Sequence, residues 1–140
     1  MKHITTRLAA RLATVSAALL LAATPALAAG SDHKHDHGKH HQPRHGGVMV
    51  VVGHIDYELL AKPDRLVVFV SDHGEPLSTT GATAKLTLLT GKDKASADLR
   101  PVAPNRLEAT GSFKLQPGTV AVANVTLAGQ KAAAVRFVVK

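Results

Sequence analysis

The chain has 140 residues, is 45% apolar and carries no cysteine and no tryptophan; 17 Lys+Arg against 10 Asp+Glu give a formal charge of +7, and nine residues are histidine. One compact domain is the expectation at this length, and the lack of cysteine excludes disulfide scaffolds, thiolate metal sites, thiol nucleophiles and iron–sulfur clusters. Four aromatic residues (Tyr57, Phe69, Phe113, Phe137) are too few to build base-stacking platforms, so the basic balance does not argue for nucleic acid.

Residues 1–28 read as a secretory signal peptide. Lys2, Arg7 and Arg11 form a basic start free of acids, an apolar run centres on residues 17–23, and Pro25 precedes Ala26-Leu27-Ala28, a small-residue cleavage signal. The apolar run is too short for a stable membrane span. The expected product is periplasmic, with no membrane span in the mature protein. Removing this segment leaves +4 over the remaining 112 residues, so much of the basicity belongs to targeting.

Residues 29–47, AGSDHKHDHGKHHQPRHGG, contain one apolar residue and six histidines: His33, His35, His37, His40, His41 and His45. Such a stretch cannot bury enough surface to offset the ordering of its backbone, and it reads as a disordered arm. In an extended chain His33, His35 and His37 fall on one side, about 7 Å apart. Neutral imidazole suits Zn(II), Cu(II) and Ni(II), and Asp32 and Asp36 add oxygen donors. Met49 is the sole methionine after the signal, which disfavours a Cu(I)-selective thioether site. Binding by such an arm is expected to be loose, multi-site and proton-competitive, weakening below pH about 6.5. The alternative for the same residues is a solubilising arm whose histidines merely titrate. Signal cleavage after Gly30 instead of Ala28 would expose Ser31-Asp32-His33, a free amine, two amides and an imidazole that together favour Cu(II) and Ni(II). An Ala29 start removes that option.

From Val48 to Lys140 the pattern becomes apolar and periodic, placing the domain boundary at Gly46-Gly47. The run at 48–52 is β-branched and bounded by glycine. Ile55, Tyr57, Leu59 and Ala61 alternate with polar neighbours, Pro63-Asp64 makes a turn, and a second apolar run covers 66–70. Residues 71–76 read as a loop. Alternation resumes at 84–88, at 95–99 and at Leu107, Ala109, Gly111 and Phe113, and two final strands fall within 119–127 and 132–139. About seven to eight short strands with regular turn signals predict an all-β domain, a two-sheet sandwich of the immunoglobulin or fibronectin type III kind.

Several motifs in this domain resemble a known family. His45-Gly46-Gly47-Val48, the stretch Gly53-His54-Ile55-Asp56-Tyr57-Glu58-Leu59, the loop Asp72-His73-Gly74-Glu75-Pro76 and Gly81-Ala82-Thr83 together resemble small periplasmic HGG-motif β-sandwich proteins found with heavy-metal resistance and efflux systems. A similar module stands near the amino end of some periplasmic adaptor proteins of cation efflux pumps. The likeness covers most of residues 45–140. It implies metal-linked periplasmic work, carried onto His45, His54 and His73. The long helical hairpin and pump-contact region of those adaptors have no counterpart here.

His54 is flanked in sequence by Asp56 and Glu58, and His73 by Asp72 and Glu75. If their loops share one end of the domain, His45, His54, His73 and Asp72 converge on a cation; otherwise they are ordinary loop histidines. Asp72 reads equally well as a brace for its own turn, and Glu58 as a cross-strand ion-pair partner. No nucleophile elbow, H-E-x-x-H pair, P-loop or dinucleotide fingerprint occurs, so an enzyme is not expected. Two readings remain. One is a metal-binding protein that buffers a divalent ion or passes it to an efflux partner. The other is a non-catalytic interaction module that docks on another envelope protein, with the arm incidental.

Overall fold

The computed structural model describes residues 41–140. Residues 1–28, expected from the sequence to be a signal peptide, Asp32, Asp36 and the histidines at 33, 35, 37 and 40 lie outside the described residues. Nine antiparallel strands follow one another: β1 (Val48–Val52), β2 (Ile55–Lys62), β3 (Arg65–Asp72), β4 (Glu75–Pro76), β5 (Thr83–Thr90), β6 (Asp93–Ala103), β7 (Arg106–Thr110), β8 (Val120–Thr126) and β9 (Ala133–Val138). Hydrogen bonding runs in the order β1-β2-β3-β7-β6-β5-β8-β9, with β4 paired to β3. The two ends of this path, β1 and β9, come to lie beside each other, so the sheet curls into a nearly closed barrel.

The all-β expectation holds. The division into two separate immunoglobulin-type sheets does not follow from the pairing, and the reason lies in β6. Its first part pairs with β5 (Ala84 opposite Leu99) and its last residues pair with β7 (Arg100 opposite Glu108), with the register slipping between Pro101 and Ala103. Proline has no N–H for a ladder and is tolerated at such an irregularity. One long strand therefore carries the sheet around the corner.

Alternation decides what points inward. Tyr57 and Leu59 of β2, Leu66, Val68 and Val70 of β3, Leu86 and Leu88 of β5, Ala121, Ala123 and Val125 of β8, and Val135 and Phe137 of β9 are buried in one core. Full burial of each larger side chain contributes about 1.5–3 kcal/mol. The strand expected to run on to Phe113 stops at Thr110. Beyond it the Gly111 and Phe113 N–H groups donate to the carbonyls of Asp64 and Pro63 at 3.0 and 2.7 Å, tying the chain to the β2–β3 turn.

Thr79, in the connection between β4 and β5, is fully buried and anchors the β6–β7 turn. Its hydroxyl reaches the carbonyls of Ala103 and Pro104 at 3.0 and 3.2 Å, and its N–H donates to Pro104 at 2.7 Å. Thr79→Val keeps the shape and removes the donor. Urea unfolding is expected to show a loss of about 1–2 kcal/mol; an unchanged midpoint would mean that the hydroxyl contributes nothing.

Candidate functional site

Strand β2 sets out the site. Its core-facing residues, Ile55, Tyr57 and Leu59, are buried as the alternation predicts, yet Asp56 and Glu58 on its other face are also only 1% and 4% exposed. What covers them is the end of the histidine-rich arm. Residues 41–47 adopt no regular secondary structure, but they lie against this outer face and bond to both carboxylates.

Glu58 receives four hydrogen bonds. The Arg44 N–H donates to Oε2 at 2.9 Å, the His45 and Gly47 N–H groups to Oε1 at 2.8 Å each, and His45 Nδ1 to Oε2 at 2.8 Å. Burial pushes the Glu58 carboxyl up, but bonds from the Gly47 N–H, the His45 ring and the Arg44 and His45 N–H groups outweigh it and hold the group below the usual carboxylate range. The His45 ring lies flat on Phe69 of β3, with centroids 3.5 Å apart and planes 4° from parallel.

Asp56, two residues away on the same face, accepts from His41 Nδ1 at 2.5 Å and from the Ser71 hydroxyl at 3.5 Å. A carboxylate oxygen accepts, so Nδ1 is the donor on both His41 and His45, and in the neutral imidazole Nε2 is then the acceptor nitrogen. This carboxylate–imidazole pairing is the arrangement that fixes the tautomer and raises the basicity of metal-ligating histidines.

The neighbouring end of the sheet carries the other two histidines. Val52 pairs with Ile55 across the tight Gly53-His54 turn, and Asp72 pairs with Glu75 across His73-Gly74. Because Ile55 is also paired with Asp72, the two hairpin tips stand side by side. His73 (φ 46°) and Gly74 (φ 85°) are both left-handed, as a type I′ turn requires. Asn, Asp or Gly ordinarily fills that first position, and histidine is among the few other residues that adopt it. His54 Nε2 stands 3.7 Å from Asp72 Oδ2 and His73 Nε2 stands 3.7 Å from Asp72 Oδ1. The His73 ring centroid is 6.3 Å from that of His54 and 5.9 Å from that of His41.

Of the residues singled out from the sequence, His54, His73 and Asp72 do come together. His45 does not join them; it is committed to Glu58 and Phe69. His41, read only as one donor among many on the arm, takes the place next to His73. Asp56 and Glu58 pair with arm histidines and not with His54. Glu58 is no cross-strand ion-pair partner, because Met49 and Phe69 stand opposite it in register. No hydrogen bond links the Asp72 carboxylate to its own turn: Oδ1 is cut off from solvent and has no partner.

Among the described residues no three His, Asp or Glu side chains are already gathered tightly enough to hold an ion, and no helix is long and apolar enough to cross a membrane. A cavity of about 120 Å³ beside His45, lined also by Met49, Phe69 and Ser71, is below the size of an organic-ligand pocket. No protein-family model, curated protein or solved structure matches the chain.

Proposed function

We propose that the protein is a non-catalytic, periplasmic binder of divalent transition metal ions. Its histidine-rich arm collects Zn(II), Cu(II) or Ni(II), and the protein buffers the ion or hands it to an efflux component of the envelope. The observation that carries this reading is the pair of buried carboxylates, Asp56 and Glu58. Each holds an arm histidine by Nδ1, which directs metal binding to Nε2 of the neutral ring, as in carboxylate–histidine–metal triads; a merely solubilising arm needs no such pairing. His41, anchored in this way, stands with its ring centroid 5.9 Å from that of His73 on a hairpin tip.

Calorimetric titration of the full chain with each ion, repeated on a chain with His33, His35, His37 and His40 all changed to alanine, tests it. The parent is expected to take up more than one equivalent, and the substituted chain to lose the weaker equivalents. If the parent binds none of the three ions tighter than roughly 100 μM, about −5.5 kcal/mol, metal handling is not its role. The interaction-module reading would then take its place.

A further inference from the structure

We infer that His54, His73 and Asp72, joined by Nε2 of His41, form a discrete single-ion site for a borderline divalent cation of the Zn(II) class. The site lies at the paired tips of the β1–β2 and β3–β4 hairpins and does not draw on the histidines at 33, 35, 37 and 40. The inference rests on the metal-binding reading above and names the folded end to which the arm delivers its ion.

The spacing of the donors is the first argument. Both imidazole-to-Asp72 distances, 3.7 Å, are too long for hydrogen bonds. Two donor atoms each about 2.1 Å from one tetrahedral ion stand roughly 3.4 Å apart. Asp72 is thus flanked by two nitrogens at a separation that suits a shared cation better than a direct bond. Two imidazoles on one such ion have centroids roughly 5–6 Å apart; here His41 and His73 stand at 5.9 Å, and His54 and His73 slightly beyond, at 6.3 Å. A small inward swing of exposed side chains closes the set; His54 and His73 are 64% and 69% exposed and free to make it.

The unpartnered Asp72 oxygen is the second argument. Oδ1 is shielded from water and accepts no hydrogen bond, although an N–H donor stands at nearly every other shielded carboxylate oxygen of this face. A buried acceptor without a partner is costly unless something outside the protein satisfies it. A cation between Asp72 and the two Nε2 atoms would do so.

Third, the scaffold is fixed where the ligands attach. His54 and His73 sit on two-residue turns whose strands are paired to each other, and His73 keeps a left-handed backbone that a glycine or asparagine would adopt more easily. His41 is aimed by Asp56, which is a positioning residue and not a ligand. Three imidazoles and one carboxylate match the donor preference of Zn(II), with Co(II) as a spectroscopic substitute.

The test uses the full chain with His33, His35, His37 and His40 changed to alanine, so that the hairpin tips carry the remaining cluster. Zn(II) is titrated in competition with a chromophoric chelator, and Co(II) is followed by its visible absorption. One equivalent of Zn(II) at roughly micromolar affinity or better is expected, with an intense tetrahedral Co(II) band. Adding His54→Ala and His73→Asn should weaken Zn(II) binding at least 100-fold and abolish the band; asparagine suits the left-handed turn, so the hairpin persists. Asp56→Asn should weaken binding about 10-fold and shift the Co(II) spectrum without removing it. In the unmodified chain the first equivalent of Zn(II) should move the imidazole NMR signals of His41, His54 and His73 together. If the arm-substituted chain does not bind while the parent does, the folded site is overturned and the arm reading stands. Unchanged affinity in the His54/His73 variant, or first-equivalent shifts confined to the arm, overturns it as well. A parent that binds nothing overturns both.

Discussion

Glu58→Gln is expected to lift residues 41–47 from the sheet and to lower the free energy of unfolding by about 2–4 kcal/mol. The carboxylate meets four donors with two oxygens, each oxygen taking two. An amide offers one oxygen, and its NH₂ would face two further N–H donors. Whichever way it is turned, half the clip becomes donor against donor. The freed backbone amides then recover water by detaching, which caps the loss below the sum of four charge-assisted bonds. Hydrogen exchange reads the local event: protection at Arg44, His45 and Gly47 should vanish while the core strands keep theirs. Retained protection with an unshifted midpoint would show that something other than Glu58 holds the arm root.

The same residue sets an acid limit. Its folded carboxyl lies below its unfolded value, which is about 4.3. A depressed carboxyl contributes its full stabilisation above the unfolded value and loses it progressively as pH falls through the folded one. The parent should therefore lose stability more steeply than Glu58→Gln below pH about 4.5, and the two curves should run parallel above it.

Most of the strands were legible because one face of each is apolar. Leu86 and Leu88, and Ala121 and Ala123, alternate with residues that water can reach, and the pleat leaves no other solution. Less visible was β2, whose second face is buried too. A reading by composition treats the segment 29–47 through its side chains, which are too polar to form a core. What docks, within residues 41–47, is three backbone N–H groups that any sequence possesses, together with the rings of His41 and His45. The available clue was the pair of acids at 56 and 58 in a strand otherwise rich in apolar residues, preceded by Gly46-Gly47 just ahead of β1. The β3–β4 hairpin escaped notice because His73 stands where turn chemistry favours Asn or Asp, so the stretch 71–76 read as a plain loop. The convergence of His54, His73 and Asp72 was foreseeable as a condition on the loops; strand register decides it, and register is set by long-range pairing that no local window contains. The sequence motifs nevertheless acquire a joint meaning. His45-Gly46-Gly47 closes on Glu58-Leu59, and Asp72 to Pro76 forms the neighbouring hairpin, so stretches far apart in the chain build one surface.

Gly47→Ala should cost about 1–3 kcal/mol and open the same clip from the other side. A methyl group at Gly47 would press on the Leu59 carbonyl, lying 2.8 Å from its carbon and 3.1 Å from Glu58 Cγ. The nearest obstruction is backbone of a central strand and cannot yield, so the arm must move instead. Gly46 is required for a different reason: it has open space around it but a φ of +78°. Gly46→Asn, which tolerates that conformation, should therefore be nearly silent, and Gly46→Ala should cost about 1 kcal/mol. The decisive measurement is the double variant. If Gly47→Ala acts by prising the arm root off Glu58, its cost in a Glu58→Gln background should fall to well under half of its cost in the parent, because the segment it displaces is already free. Additive losses would instead place the strain of Gly47→Ala in the β1–β2 hairpin itself, and Glu58 would no longer account for why two glycines precede β1.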